Sequence, residues 1–429
     1  MPVKLVPLLG CVGLSLSAAL LSGRAARAEE PPSPGAIPGV IAPPADGAPT
    51  LAKVVALARE QAPNVALARA ELGVGRAGYA GARLAPVTNP YVEMIAGRGS
   101  SGTKDVTLQG TLFFPIEVSG QRDLRIAEND ALVAWQTANV GVSRADATGE
   151  AVRAFGAAAV SAGRVRTYDA IVAVARAEAD LYAARREAGD ATVQDATLAR
   201  VELAKNVVML EEARADLARA LGLLNGITGA RFTEAPGEDS LEPPAPRPAE
   251  PSADAAARSA PLVQAADQES VFHARSRDRQ ARDAHNPLSL IVTAGRGDLG
   301  EARIGGGLGW TFPVFRKNQG DVARADAERA RAVTSREVRA RVIAATLAGL
   351  RSEQQQVLRA LGELRANAEP AALAAVEAAL TMQRAGKVEL LHVLTARRDL
   401  ALLRIRRLDL VERAWSIAGE IAALTGEMP

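Results

Sequence analysis

Aromatic side chains make up only 3% of this 429-residue chain, cysteine occurs once and histidine three times. So few aromatics argue against several large compact cores, because Ala, Arg, Glu and Leu fill long tracts in the manner of extended helices packed through small side chains. The single cysteine, Cys11, lies in the N-terminal apolar segment. A disulfide within the chain is therefore excluded, as is a thiolate metal site. His273, His285 and His392 are scattered, and no nucleophile stands at a useful spacing from a base, so there is little with which to build a catalytic centre. An enzyme is not expected, nor is a cofactor or a resident metal. Charge of one sign is missing too: 51 basic and 49 acidic residues are interspersed to a formal net charge of +2. No basic face for nucleic acid stands out. The glycine run Gly305-Gly306-Gly307-Leu308-Gly309 lacks a following Lys-Ser/Thr and alternates through a strand, which excludes a phosphate loop and suits sharp curvature.

What is present begins with Lys4, an apolar stretch to about Leu21 and an A-x-A site at Ala26-Arg27-Ala28, which read as a secretory signal over residues 1–28. Leu8-Leu9-Gly10-Cys11 resembles a lipoprotein cleavage box, but the apolar segment continues well past Cys11. Two Pro-rich tracts, residues 29–50 and 229–252, read as extended connectors without a packed core. They separate residues 51–228 from residues 253–429, two segments that match at an offset of about 198 residues. Ala62-Pro63 answers to Ala260-Pro261, Asn89-Pro90 to Asn286-Pro287 and Gly97-Arg98-Gly99 to Gly295-Arg296-Gly297. Phe114-Pro115 answers to Phe312-Pro313, Gln121 and Asp123 to Gln319 and Asp321, and the run Ala188 to Ala204 to Ala385 to Ala401. Chance similarity between Ala-rich helices does not produce six landmarks in one order.

Each repeat switches its hydrophobic period. Val106, Leu108, Leu112 and Phe114 share one strand face opposite Thr107, Gln109 and Thr111, and Ile304, Leu308, Trp310 and Phe312 share another opposite Arg303, glycines and Thr311. Preceding strands carry Val92 and Met94, and Leu290 and Val292; the turns RGSSGTKD and RGDLGEA join each pair into a hairpin. Pro115 and Pro313 are expected at the strand-to-helix corners, since neither can extend a β ladder. No proline follows from Gln121 to about Arg186, so an unbroken helix there would reach about 100 Å. Seams at Leu203, Val207, Leu210, Leu217, Leu221 and Leu224, and at Tyr168, Val172, Ala175, Ala179 and Tyr182, have coiled-coil spacing. Gly189 and Gly386 fall where helical hairpins turn. Four strands per chain cannot close a membrane barrel, and an open edge in lipid leaves backbone groups unpaired at several kcal/mol each, so closure requires other chains.

With these pieces in place, above all NPYVEMIAGRG, FFPIEVSGQRD and TFPVFRKNQGD, the mature sequence resembles the TolC-like outer-membrane efflux proteins, nearest their heavy-metal (CzcC-like) branch. The resemblance implies a mainly α fold with a small β part. In it, a homotrimer shares a twelve-stranded barrel in outer-membrane lipid above a periplasmic α-helical tunnel. It also implies a passive exit duct serving an inner-membrane pump, of RND type, through a periplasmic adaptor. The strand residues above, Trp310 and Phe312 among them, would then face lipid. The turns Gly189 to Asp195 and Gly386 to Thr395, with Lys387, His392 and Thr395, would form the tunnel tip that meets the adaptor. Asp195 matches an acidic aperture residue of the family, whereas His392 and Thr395 stand where aspartates line the tip and Val388 where an arginine does. Asp195 reads equally as a solvated helix-start carboxylate, and His392 as a polar residue near a turn. The competing readings are a periplasmic adaptor, which should carry a compact β-rich domain and no duplication, and a structural coiled coil of the envelope, which should lack matched hairpins.

Overall fold

The computed structural model describes residues 47–86, 88–98, 106–246, 251–285, 287–296 and 301–429. The signal segment with Cys11, the tract Pro31 to Pro44, Asn286, Gly99, Gly297 and the tips of both strand turns lie outside the described residues.

Both repeats open the same way. Helix α1 (Leu51–Gln61) is capped by Thr50, whose hydroxyl accepts from Lys53 N–H, and α6 (Ala253–Ser259) by Ser252, whose hydroxyl accepts from Ala255 N–H. Each breaks at an Ala-Pro step, and Pro63 and Pro261 then occupy the first turns of α2 (Pro63–Ala77) and α7 (Pro261–Asp283). Proline fits there because a first-turn N–H has no partner within the helix. A short α3 (Tyr79–Ala82) comes after α2. The strands β1 (Tyr91–Arg98) and β2 (Val106–Ile116) then form the first hairpin, and β3 (Leu288–Arg296) and β4 (Ala302–Gly309) the second.

The long helix α4 (Gln121–Glu187) runs unbroken for 67 residues, about 100 Å. It returns as α5 (Val193–Thr228). Its counterpart is interrupted: α8 (Gln319–Glu363) passes through a π-helical turn at Leu364–Ala368 into α9 (Glu369–Arg384), and α10 (Leu390–Thr425) returns. Pro370 is the reason for the difference between the repeats. It offers no N–H and its ring would strike the carbonyl one turn back, a conflict that a wider π turn relieves.

The largest apolar core lies at mid-length, where α1 (Val54, Val55, Ala58) and the end of α5 (Leu224) meet α4 (Phe155, Ala158) and α10 (Leu408, Val411, Trp415). Phe155 and Trp415 pack edge to face at 5.4 Å. Residues 229–246, the described part of the second Pro-rich tract apart from residues 251 and 252, differ from the connector expected. Phe232 is buried in this core, a 3-10 turn spans Glu238–Leu241, and Trp415 Nε1 donates to Ser240 O. A Pro-rich segment need not float free when it supplies a large side chain and a carbonyl that the helices lack.

Small residues set how closely α4 and α10 cross. A Cβ added at Gly149 would lie 2.5 Å from both Gly419 O and Ala423 Cβ. Gly149→Val should therefore force the helices apart at a cost of about 1–3 kcal/mol per chain. A lower melting temperature of the assembled protein would register it, and an unchanged one would mean that the crossing is slack.

Candidate functional site

The four strands form one antiparallel sheet in the order β1-β2-β3-β4, with Leu112 opposite Val92 on one side and Val292 on the other. The hairpins of the two repeats are thus joined through β2 and β3, and β1 and β4 are left as open edges. Register fixes the faces. Val92, Met94 and Ala96 align with Leu112, Gly110 and Leu108, those with Val292, Ala294 and Arg296, and β4 adds Leu308 and Ile304 opposite Leu290 and Ala294. One continuous apolar face results, and its side chains are exposed: Leu108 is 48% and Ile304 86% accessible. At the turn end Arg296 stands on the same face, opposite Leu108. The opposite face carries Glu93, Thr107, Gln109, Thr111, Thr293 and Arg303, with Thr111 and Thr293 hydroxyls 3.4 Å apart. Tyr91 and Phe113 stack on it at 4.5 Å. Strands of 8 to 11 residues match a tilted crossing of a bilayer core. Among the described residues no helix is long and apolar enough to cross a membrane.

Two sequence assignments need correction here. Trp310 and Phe312 are exposed but lie beyond β4, because its last ladder partner, Gly309, already meets Ser289 near the start of β3. Past the last ladder pair they pack on each other at 4.5 Å. Pro115 is not the corner residue; it sits inside β2 opposite Ser289, past the end of β1 at Tyr91↔Phe113. Pro313 lies in the irregular stretch after β4. The chain turns into the helices instead at Gly120 (φ 71°) and Asn318 (φ 56°), equivalent positions that precede α4 and α8. Asparagine accepts this left-handed conformation better than most residues, and Asn318 Nδ2 is held by Gln280 O and Oε1, each at 2.9 Å.

At the far end of the helices the two turns are built alike. Gly189 (φ 87°) donates to Arg186 O and Asp190 N–H to Arg185 O at 2.8 Å, while Gly386 (φ 71°) donates to Gln383 O and Lys387 N–H to Met382 O at 2.9 Å. These are Schellman-type endings, which require the left-handed residue that glycine supplies. The helix starts beyond the two turns differ. Thr192 caps α5 by accepting from Asp195 N–H at 3.0 Å, and Asp195 Oδ2 accepts in return from Thr192 N–H and Oγ1, at 3.3 and 2.7 Å. Asp195 thus holds its own helix start. Thr192→Ala should weaken that start by about 1 kcal/mol, read as hydrogen exchange about fivefold faster in the first turn of α5; unchanged exchange would leave the cap without effect. Glu389 opens α10 with no side-chain cap. His392 and Thr395 face a groove of about 640 Å³ floored by Ala368, Ala371, Ala372 and Ala375, and Lys387 is exposed.

The residues that bind the two turns together are not among the site residues expected from the sequence. Tyr182 Oη accepts from Gln383 Nε2 at 2.6 Å, linking α4 to α9, and its ring packs with Ala179, Ala196, Ala199 and Leu390. Burial pushes the Tyr182 hydroxyl pKa up. Arg397 of α10 pairs with Glu178 of α4, and burial still holds the Glu178 carboxyl above its ordinary range against that cation. The apolar seam marks Tyr182 as buried, but a bond between residues 201 positions apart has no local sequence signal.

No family model matches the chain. The cobalt-zinc-cadmium resistance protein CzcC of Cupriavidus metallidurans is 29% identical over 423 residues, which span 96% of this chain and 98% of that one. Among solved structures, CusC superposes with a TM-score of 0.68 at 13% identity over 87% of this chain and 91% of its own. The outer-membrane channel OprN does so with a TM-score of 0.68 at 20% identity, over 88% and 90%. The chain therefore has the fold of the channels CusC and OprN, and its sequence is similar to that of a cobalt-zinc-cadmium resistance protein over nearly the whole length of both.

Proposed function

We propose that this protein is the outer-membrane exit duct of a tripartite efflux system, and that three copies close a twelve-stranded barrel above a periplasmic tunnel. The observation that carries the reading is the four-stranded sheet: one apolar face, one polar face and two unpaired edges, set at the end of a helix about 100 Å long. A lipid-facing and a water-facing surface that alternate along every strand are what a channel wall requires. Transport through such a wall is passive, so an inner-membrane pump, of RND type, supplies the energy and a periplasmic adaptor bridges to the turns at Gly189 and Gly386. Gly189, Asp195, Gly386, Lys387, His392 and Thr395 form the tip that the adaptor meets.

The cargo proposed is a divalent transition-metal cation, supported by the likeness to a cobalt-zinc-cadmium resistance protein over nearly the full length of both chains. Cells lacking the protein should lose tolerance to at least one such cation and regain it with the wild-type chain. Unchanged tolerance to every cation tried would contradict the metal cargo.

A further inference from the structure

The polar face of the sheet is uneven in charge, and its one acidic strand residue among those described is Glu93. Glu93 is exposed and has no ion-pair partner among the described residues. Across the sheet it stands level with Thr111, Thr293 and Gly305, so at this height each chain has one exposed carboxylate, a pair of threonine hydroxyls of which that of Thr111 is buried, and one bare backbone position. The bareness extends along β4. Gly305, Gly307 and Gly309 occupy three successive positions of the polar face, and a Cβ at Gly305 or Gly307 would meet nothing within 4 Å. In a closed ring β4 adjoins β1 of the next copy, so the strand beside Glu93 brings few side chains to cover it. The cation on this face, Arg303, is already paired with Glu301.

We propose that Glu93, one from each copy, makes the barrel lumen prefer cations, so that the barrel wall itself discriminates by charge. The inference rests on the exit-duct reading, because only a closed ring brings the carboxylates around a common lumen. The selectivity comes from local potential and not from a bound ion. A carboxylate ring raises the cation concentration beside it, and in a wide lumen it reaches only as far as screening allows, about 30 Å at 0.01 M salt and about 3 Å at 1 M.

The test is the reversal potential of the purified protein in a planar bilayer under a KCl gradient. Wild type should be cation-preferring, Glu93→Asp should retain the preference, Glu93→Gln should shift the reversal potential toward zero and Glu93→Lys further still. These differences should shrink as both salt concentrations are raised together. Should Glu93→Gln fail to insert, Glu93→Thr copies the Thr111 opposite it and carries the same expectation. Equal reversal potentials in wild type and the neutral variant at low salt would overturn the proposal. So would a neutral variant that loses only its assembly, which would assign Glu93 to the seam between copies. Absence of any conductance from wild type would instead contradict the exit-duct reading.

Discussion

Leu112→Arg is expected to abolish insertion and assembly, while arginine at Thr107 or Gln109 leaves most of the protein in the membrane. Leu112 is central to the apolar face, with Val92 and Val292 as its cross-strand neighbours. An arginine near the bilayer midplane on a barrel strand costs about 2–4 kcal/mol, and in the proposed trimer every copy would carry that penalty. The polar-face positions alternate with it along the same strand and meet water, so the same side chain there should cost little. Heat-sensitive oligomer bands and membrane fractionation read both outcomes. Equal damage on the two faces would contradict their assignment. Trp310→Arg, placed beyond the ladder, should be milder than Leu112→Arg.

Gly189→Val combined with Gly386→Val is expected to abolish efflux with normal yield of the assembled protein. Both glycines hold left-handed backbone, φ 87° and 71°, and a β-branched residue there is strained by roughly 1–2 kcal/mol or more. No neighbouring atom lies within 4 Å of a Cβ at either site, so the substitutions distort the turns without crowding a core. They lie at the opposite end of α4 from the sheet, about 100 Å away, which is why barrel closure should be spared. Loss of tolerance with intact assembly is the expected pair of readouts. Full tolerance would show that the turns do not serve as a docking surface, and loss of assembly would make them folding elements.

Much of this architecture is legible in the sequence because it is repeated and periodic. The Ala-Pro steps at Pro63 and Pro261 and the glycines at 189 and 386 recur at equivalent structural positions. Period-2 alternation sorts Leu108 from Gln109 correctly, since in an antiparallel ladder the face is set by parity alone. What parity cannot give is where a ladder stops. That depends on the partner strand, so Trp310 and Phe312 continue the pattern of β4 without belonging to it. The π turn before Pro370 is not among the expected elements, although a proline inside a long helical tract is its available signal. Phe232 shows the opposite failure, where Pro-rich composition conceals a single core residue. The Tyr182–Gln383 bond has no signal at all, because coincidence of two helix ends in space is a tertiary property.

The central claim is that one chain is an incomplete channel and that its sheet edges are satisfied by its own kind. Native mass measurement of the detergent-extracted protein from outer membranes tests it most directly. The account predicts a single dominant species of three copies of the mature chain, resistant to dilution in detergent. A stable soluble monomer, with β1 and β4 both unpaired, would contradict it.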